Sequence, residues 1–175
     1  MYITIKNSKG EKNINLDYPI KSLDATREIA LVEVFIDAVE YSIKETIKPD
    51  KISKLVIPAG IYKSRVLESF LANKIDMKSL NKNPNIIRTN KLINITELNF
   101  HIDEIDNTEN LLDGRPSQIL LTYQISEYKD ILKIEPKNLQ FKKLINSNFN
   151  SLRLKVTDQN DNLIDLDMDI VLYIT

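Results

Sequence analysis

"SLRLKVTDQNDNLIDLDMDIVLYIT", Ser151 to Thr175, is the stretch whose reading decides the fold. Leu152, Leu154 and Val156 fall on one side of an alternating run, and Arg153, Lys155 and Thr157 fall on the other. Ile170, Leu172 and Ile174 repeat the alternation after a polar cluster. Period-two alternation places every second side chain on one face of a β-strand. Two such runs joined by a short Asp/Asn-rich link read as a hairpin.

The link carries the one spacing with a metal-site look. Asp158, Asn160, Asn162 and Asp169 occupy positions one, three, five and twelve of a calcium loop. The sixth position, where the sharp turn needs Gly, is Leu163, the last ligand is Asp rather than bidentate Glu, and the flanks read as strands. The turn is the preferred reading, and no metal is assigned. Asp165, Asp167 and Asp169 also alternate with Leu166, Met168 and Ile170, so the three carboxylates share a strand face. Arg153 and Lys155 are their expected cross-strand partners, each pair worth about 0.2–1 kcal/mol.

Working outward, the rest of the chain is a series of short β-prone runs. Tyr2–Lys6 alternates, "NSKGEKN" signals a turn at Gly10, and Ile14 and Leu16 mark a second strand before Pro19, together a hairpin. "IALVEVFIDAV", Ile29 to Val39, is rich in β-branched residues and reads as a strand that Tyr41 and Ile43 extend. Its regular alternation would put Ala30, Val32, Val34, Ile36 and Ala38 on one face. Leu55–Ile57 is a further strand, stopped by Pro58, and "PAGIYKS" is a loop. Ser64 is placed to N-cap a helix reaching about Ile75, with Val66, Leu67, Phe70, Leu71 and Ile75 on one stripe. Strands resume at Ile86, with the register around Leu92–Phe100 left open. "DEIDNTENLLDGRPS" is a polar connection, and Ile119–Ile125, Leu132–Ile134 and Leu139–Leu144 are the remaining strands. About eight short strands with no βαβ rhythm bury their faces as an antiparallel sandwich or barrel.

Composition narrows the function. The chain has 175 residues, the size of one domain. The net charge of -1 and dispersed lysines argue against general nucleic-acid binding. No cysteine is present, which excludes disulfides, thiolate nucleophiles and Cys-based zinc. "MYITIKN" is not a secretory leader, so intracellular synthesis without secretion is expected. No apolar run approaches the ~20 residues of a membrane span. His101 is the single histidine, and nucleophile, P-loop and dinucleotide motifs are missing. No catalytic, cofactor-binding or metal-binding residue is therefore assigned, and an enzyme is not expected. Asn94-Ile95-Thr96 is a sequon with no secretory context. The seven tyrosines are scattered, so no sugar-stacking platform is visible, and core-edge or interface roles are preferred.

Three stretches carry a resemblance. "REIALVEVFID", "LVIPAGIYKSRVLESFLANKI" and "NFNSLRLKVTDQNDNLIDLDMDIVLYIT" resemble, in the expected order, segments of the penton (minor capsid) proteins of Polinton/Maverick elements, virophages and related adeno-like viruses. They cover roughly a third of the chain, and Met77–Leu144 has no counterpart. The family often has Gly inside the closing turn, where this chain has Asp161-Asn162. The resemblance implies one jelly-roll domain over residues 1–175 with one short helix in a connection. It implies a structural role in the virion: five copies as an icosahedral vertex among double jelly-roll major capsid proteins, with no cofactor. The alternative is a β-sandwich binding module for carbohydrate or a partner protein, such as a receptor-binding head.

Overall fold

The computed structural model describes residues 1–8, 11–21, 26–48, 56–71, 82–106, 118–145 and 148–175. Twelve strands and one helix lie among them. The strands are β1 (Tyr2–Ser8), β2 (Glu11–Ile20), β3 (Glu28–Asp37), β4 (Val39–Ile43), β5 (Gly60–Lys63), β6 (Ile86–Asn90), β7 (Glu97–Ile102), β8 (Ile119–Gln124), β9 (Ile131–Ile134), β10 (Lys142–Lys143), β11 (Phe149–Thr157) and β12 (Met168–Ile174); the helix is α1 (Ser64–Leu71). They group into two compact units.

The first unit holds two antiparallel sheets. One has the order β1-β12-β3-β10, with β9 also on β3; the other has the order β2-β11-β7-β8. The pairing is nested: β1 with β12, β2 with β11, β3 with β10, β7 with β8. One long antiparallel ribbon, doubled back at β7–β8 and coiled, sends successive pairs to alternate sheets. That is the strand order of a jelly roll, two interlocked Greek keys. Leu152, Leu154 and Val156 of one sheet and Ile170, Leu172 and Ile174 of the other are fully buried, as are Phe100 and Val34. The expected antiparallel sandwich is therefore the observed fold.

Its connectivity differs from the hairpins read in the sequence. β11 pairs with β2 and β7, while β12 pairs with β1 and β3. The final two strands lie in opposite sheets. Likewise β1 and β2 part into different sheets instead of pairing. Alternation fixes which side chains face the core but is silent on which neighbour a strand takes, and short links mislead when a ribbon coils. β2 also runs through Pro19, because it is an edge strand and Leu16–Pro19 lie opposite a register shift against β11.

β3 departs from regular alternation through one extra residue. Leu172 pairs with Leu31 but Val171 pairs with Glu33, so Val32 is bulged. A one-residue bulge swaps the faces beyond it. Ile29 and Leu31 point inward before it, and Val34 and Ile36 after it. The expected single face of Ala30, Val32, Val34 and Ile36 is corrected accordingly.

The second unit falls between β3 and β7 in sequence, with Tyr128–Ile131 added. Its sheet has the order β5-β4-β6. Tyr41 and Ile43 belong to β4, a separate strand rather than an extension of β3. "PAGIYKS" is not a loop: Gly60–Lys63 pairs with β4, and Ile57 bridges to Ile47. Leu67 and Leu71 of α1, one helical turn apart, bury against Val39, Tyr41, Ile43 and Ile57. Val66, expected on that stripe, is exposed; the helix beyond Leu71, including Ile75, lies outside the described residues. The first turn is held by the Asp37 carboxylate, which accepts the Arg65 N–H at 3.2 Å. The Ser64 hydroxyl, expected as the cap, bonds the Glu68 carboxylate instead, at 3.3 Å.

Candidate functional site

The Asp158–Asn162 loop is built around one carboxylate. Asp158 Oδ1 accepts the backbone N–H groups of Asn160 (2.8 Å) and Asn162 (2.9 Å), and Oδ2 accepts the Asn162 side-chain amide (3.1 Å). The Asn162 amide leads in holding the Asp158 carboxyl below the ordinary Asp range. The left-handed residue is Asp161, φ 61°, a role short polar residues tolerate. Main-chain bonds between Asp158 and Asn162 close the loop, and Thr157 bridges to Leu163. The calcium spacing is thus a turn with its lead carboxylate directed at its own backbone. Among the described residues, no three His, Asp or Glu side chains gather as a metal site.

Arg153 and Lys155 do not face the aspartates of the closing strand. They lie on the other sheet, where both reach Asp103 (3.3 and 3.5 Å) and Arg153 also reaches Glu11 (3.7 Å). The outer face of β2-β11-β7-β8 is largely polar and cross-bonded, with Ile119 beside His101 as an apolar exception. Thr122 donates to Asn99 at 2.7 Å, Gln124 bonds Glu97, and Glu104 accepts the Arg153 N–H at 2.9 Å, continuing the ladder beyond the end of β7. Burial raises the Glu104 carboxyl.

His101 sits on this face, half-buried, with Nε2 3.0 Å from Thr157 Oγ1. A hydroxyl beside an imidazole is the start of a nucleophile–base pair. Burial lowers the His101 pKa, which favours the neutral ring, but Thr157 is buried. The arrangement is a strand-to-strand hydrogen bond.

The outer face of the five-stranded sheet has a different character. Tyr2 pairs with Tyr173, and Tyr173 with Ala30. The Tyr2 and Tyr173 rings lie 4.7 Å apart, tilted by 47°, and Phe141 meets Tyr173 edge-on at 6.2 Å. Together they form an aromatic row over Ala30, which is fully buried. Tyr2 is 67% exposed and Phe141 39%. Further along, Lys133 stands over the Phe35 ring at 5.1 Å. The tyrosines scattered in sequence are therefore gathered in part by strand register. The available signal was positional: Tyr2 and Tyr173 occupy outward places on strands whose alternate residues are isoleucine and leucine. An open recess of about 390 Å³ is lined by Met1, Tyr18, Pro19, Ile20 and Arg27.

In the second unit Glu40 joins Lys63 and Lys91, the latter at 3.2 Å, and Lys63 leads in lowering the Glu40 carboxyl. Arg88 pairs with Asp130. These contacts tie strands of that unit together. No helix among the described residues is long and apolar enough to cross a membrane.

The first unit thus defines an all-β, antiparallel jelly roll. No protein-family model matches the chain, and no curated protein matches it in sequence. Among solved structures it is similar to the crystal structure of the selenomethionine-labelled mavirus penton protein, with 10% identity and a TM-score of 0.49 over 100% of this chain and 98% of that one.

Proposed function

We propose that the chain is a structural capsid protein that forms pentameric vertices of an icosahedral particle, set among double jelly-roll major capsid proteins. The observation that carries this reading is the nested jelly-roll strand order of the first unit. The three sequence stretches that resemble penton proteins fall on β3, on β5 with α1, and on β11 with β12. In this reading the whole chain is one jelly-roll domain, with the second unit as an insertion between its third and fourth ribbon strands, and it acts in the virion without a catalytic step. A ring of five needs two different, complementary surfaces on each copy.

Native mass spectrometry over a concentration series, alone and mixed with a double jelly-roll major capsid protein, tests the proposal. A closed pentamer, or incorporation at vertices of co-assembled particles, is the expected result. A dimer or trimer as the end state, or a monomer that stays out of particles, overturns it.

A further inference from the structure

We propose that the open edge of β1 takes an added β-strand from a partner protein: an extended, acidic peptide segment that seats one large apolar side chain in the recess beside Met1. Three observations carry this. The first is hydrogen-bonding parity. The Ile174 N–H donates to the Met1 carbonyl at 2.8 Å, and the Met1 amino group donates to the Ile174 carbonyl. Antiparallel ladders alternate, so Ile3 with Leu172 and Ile5 with Ile170 are the next bonded pairs. The main-chain N–H and C=O groups of Tyr2 and Thr4 therefore point away from β12, on the side where β1 has no neighbour among the described strands. Lys6 follows the same parity: its carbonyl accepts Lys12 Nζ of β2 at 3.1 Å. A strand edge with open main-chain groups is a template for a further strand.

The second is the recess. β1 and β2 are edge strands of their two sheets. The recess of about 390 Å³ is lined by Met1 before β1, by Tyr18, Pro19 and Ile20 of β2, and by Arg27. Met1 continues the inward phase of Ile3 and Ile5, so a strand laid beside β1 turns every second side chain toward this side of the sheet. A volume within the range of ligand pockets holds one large side chain.

The third is charge. Arg27 is the one charged side chain of the lining, and Lys6 the one charged side chain of β1. β2 adds Lys12, Glu11 and Asp17, and Arg153 reaches Glu11 at 3.7 Å. With that pair set aside, Lys6, Lys12 and Arg27 outweigh Asp17, and the edge favours an acidic segment.

The test offers the full chain to an array of short random-sequence peptides, with the strongest binders resynthesised and measured by fluorescence polarisation. The expected binders are acidic and carry a large apolar residue, whose replacement by alanine weakens binding about tenfold. N-methylation of the peptide amides should block binding at every second position, the signature of strand pairing. On binding, amide exchange should slow at Tyr2 and Thr4 and change little at Ile3 and Ile5, which already bond β12. Thr4→Pro removes an edge N–H but no ladder bond, so the fold accepts it, and it should weaken binding by about tenfold or more. Thermal melting checks that variant; the N-methyl scan needs no variant and decides if Thr4→Pro does not fold. An array with no binder, binders that are basic, N-methyl losses without a period of two, or affinity that Thr4→Pro leaves unchanged each overturns the proposal. So does a Thr4→Pro chain whose only change is a smaller oligomer, which would make the edge a contact between copies. The inference goes beyond the vertex reading, and oligomer size is read on the chain without peptide, so the two fail separately.

Discussion

The nested ribbon makes a demand that a terminal hairpin does not: the first and last strands must be neighbours. Thr4 pairs with Val171, and both lie on the outer face. The chain contains no cysteine, so Thr4→Cys with Val171→Cys introduces the only possible bridge. Directly paired strand residues bring their Cβ atoms to about 4.5–5.5 Å, within reach of a disulfide after small adjustment. The bridge would close a loop of about 170 residues, for which chain entropy gives a ceiling of about 5 kcal/mol; engineered bridges typically deliver about 2–4 kcal/mol. For a chain of this length that raises the melting midpoint by about 4–16 °C, reversed by reductant. The control is Lys155→Cys with Val171→Cys. Those residues lie on the outer faces of opposite sheets, and packed sheets are ~10 Å apart, beyond the ~7 Å Cα limit of a disulfide. Thiol titration and non-reducing electrophoresis after mild oxidation read both pairs. A first pair that stays reduced while the control cross-links would refute the nested order and restore the hairpin.

Phe100→Ala removes a fully buried ring between the sheets and should cost about 3–5 kcal/mol in urea denaturation; a cost below about 1 kcal/mol would place β7 outside the core. Leu67→Ala, in the core of the second unit, should speed amide exchange most in β4, β5 and β6; equal acceleration in β11 and β12 would show that the two units open together. For pH, Asp158 and Glu40 have lowered folded values, so the stability they contribute is present above their ordinary pKa and fades as pH falls through the folded one. His101 is also lowered, so its burial costs stability as pH drops below its ordinary value, and His101→Asn should flatten the melting profile there. Glu104 is raised and acts in reverse, taking up a proton more readily when folded; Glu104→Gln should steepen the acid decline, and an unchanged profile would remove that assignment.

How much of this was legible follows from what each signal encodes. Alternation in "SLRLKVT" and "DIVLYIT" reports a strand and its inward face, and both are as read. It carries no information on the neighbouring strand, which in a coiled ribbon is set by residues more than a hundred positions away. Ile5 opposite Ile170 is the example. The Val32 bulge was hidden for a related reason: the run is almost wholly apolar, and only Glu28 and Glu33, both outward but at opposite parity, record the change of phase. "GIYK" became a strand because β4 supplied an open edge for it, a tertiary effect that turn-prone Pro58 and Gly60 mask locally. The turn at Asp158 could be read because its chemistry is local, each bond spanning at most four residues. The aromatic row is the opposite case. Its members stand at positions 2, 141 and 173, and only the pairing of the first strand with the last, with β3 beside it, makes them one surface. The surface feature assembled from the most distant parts of the chain is thus the one that depends most on the connectivity that local pattern leaves open.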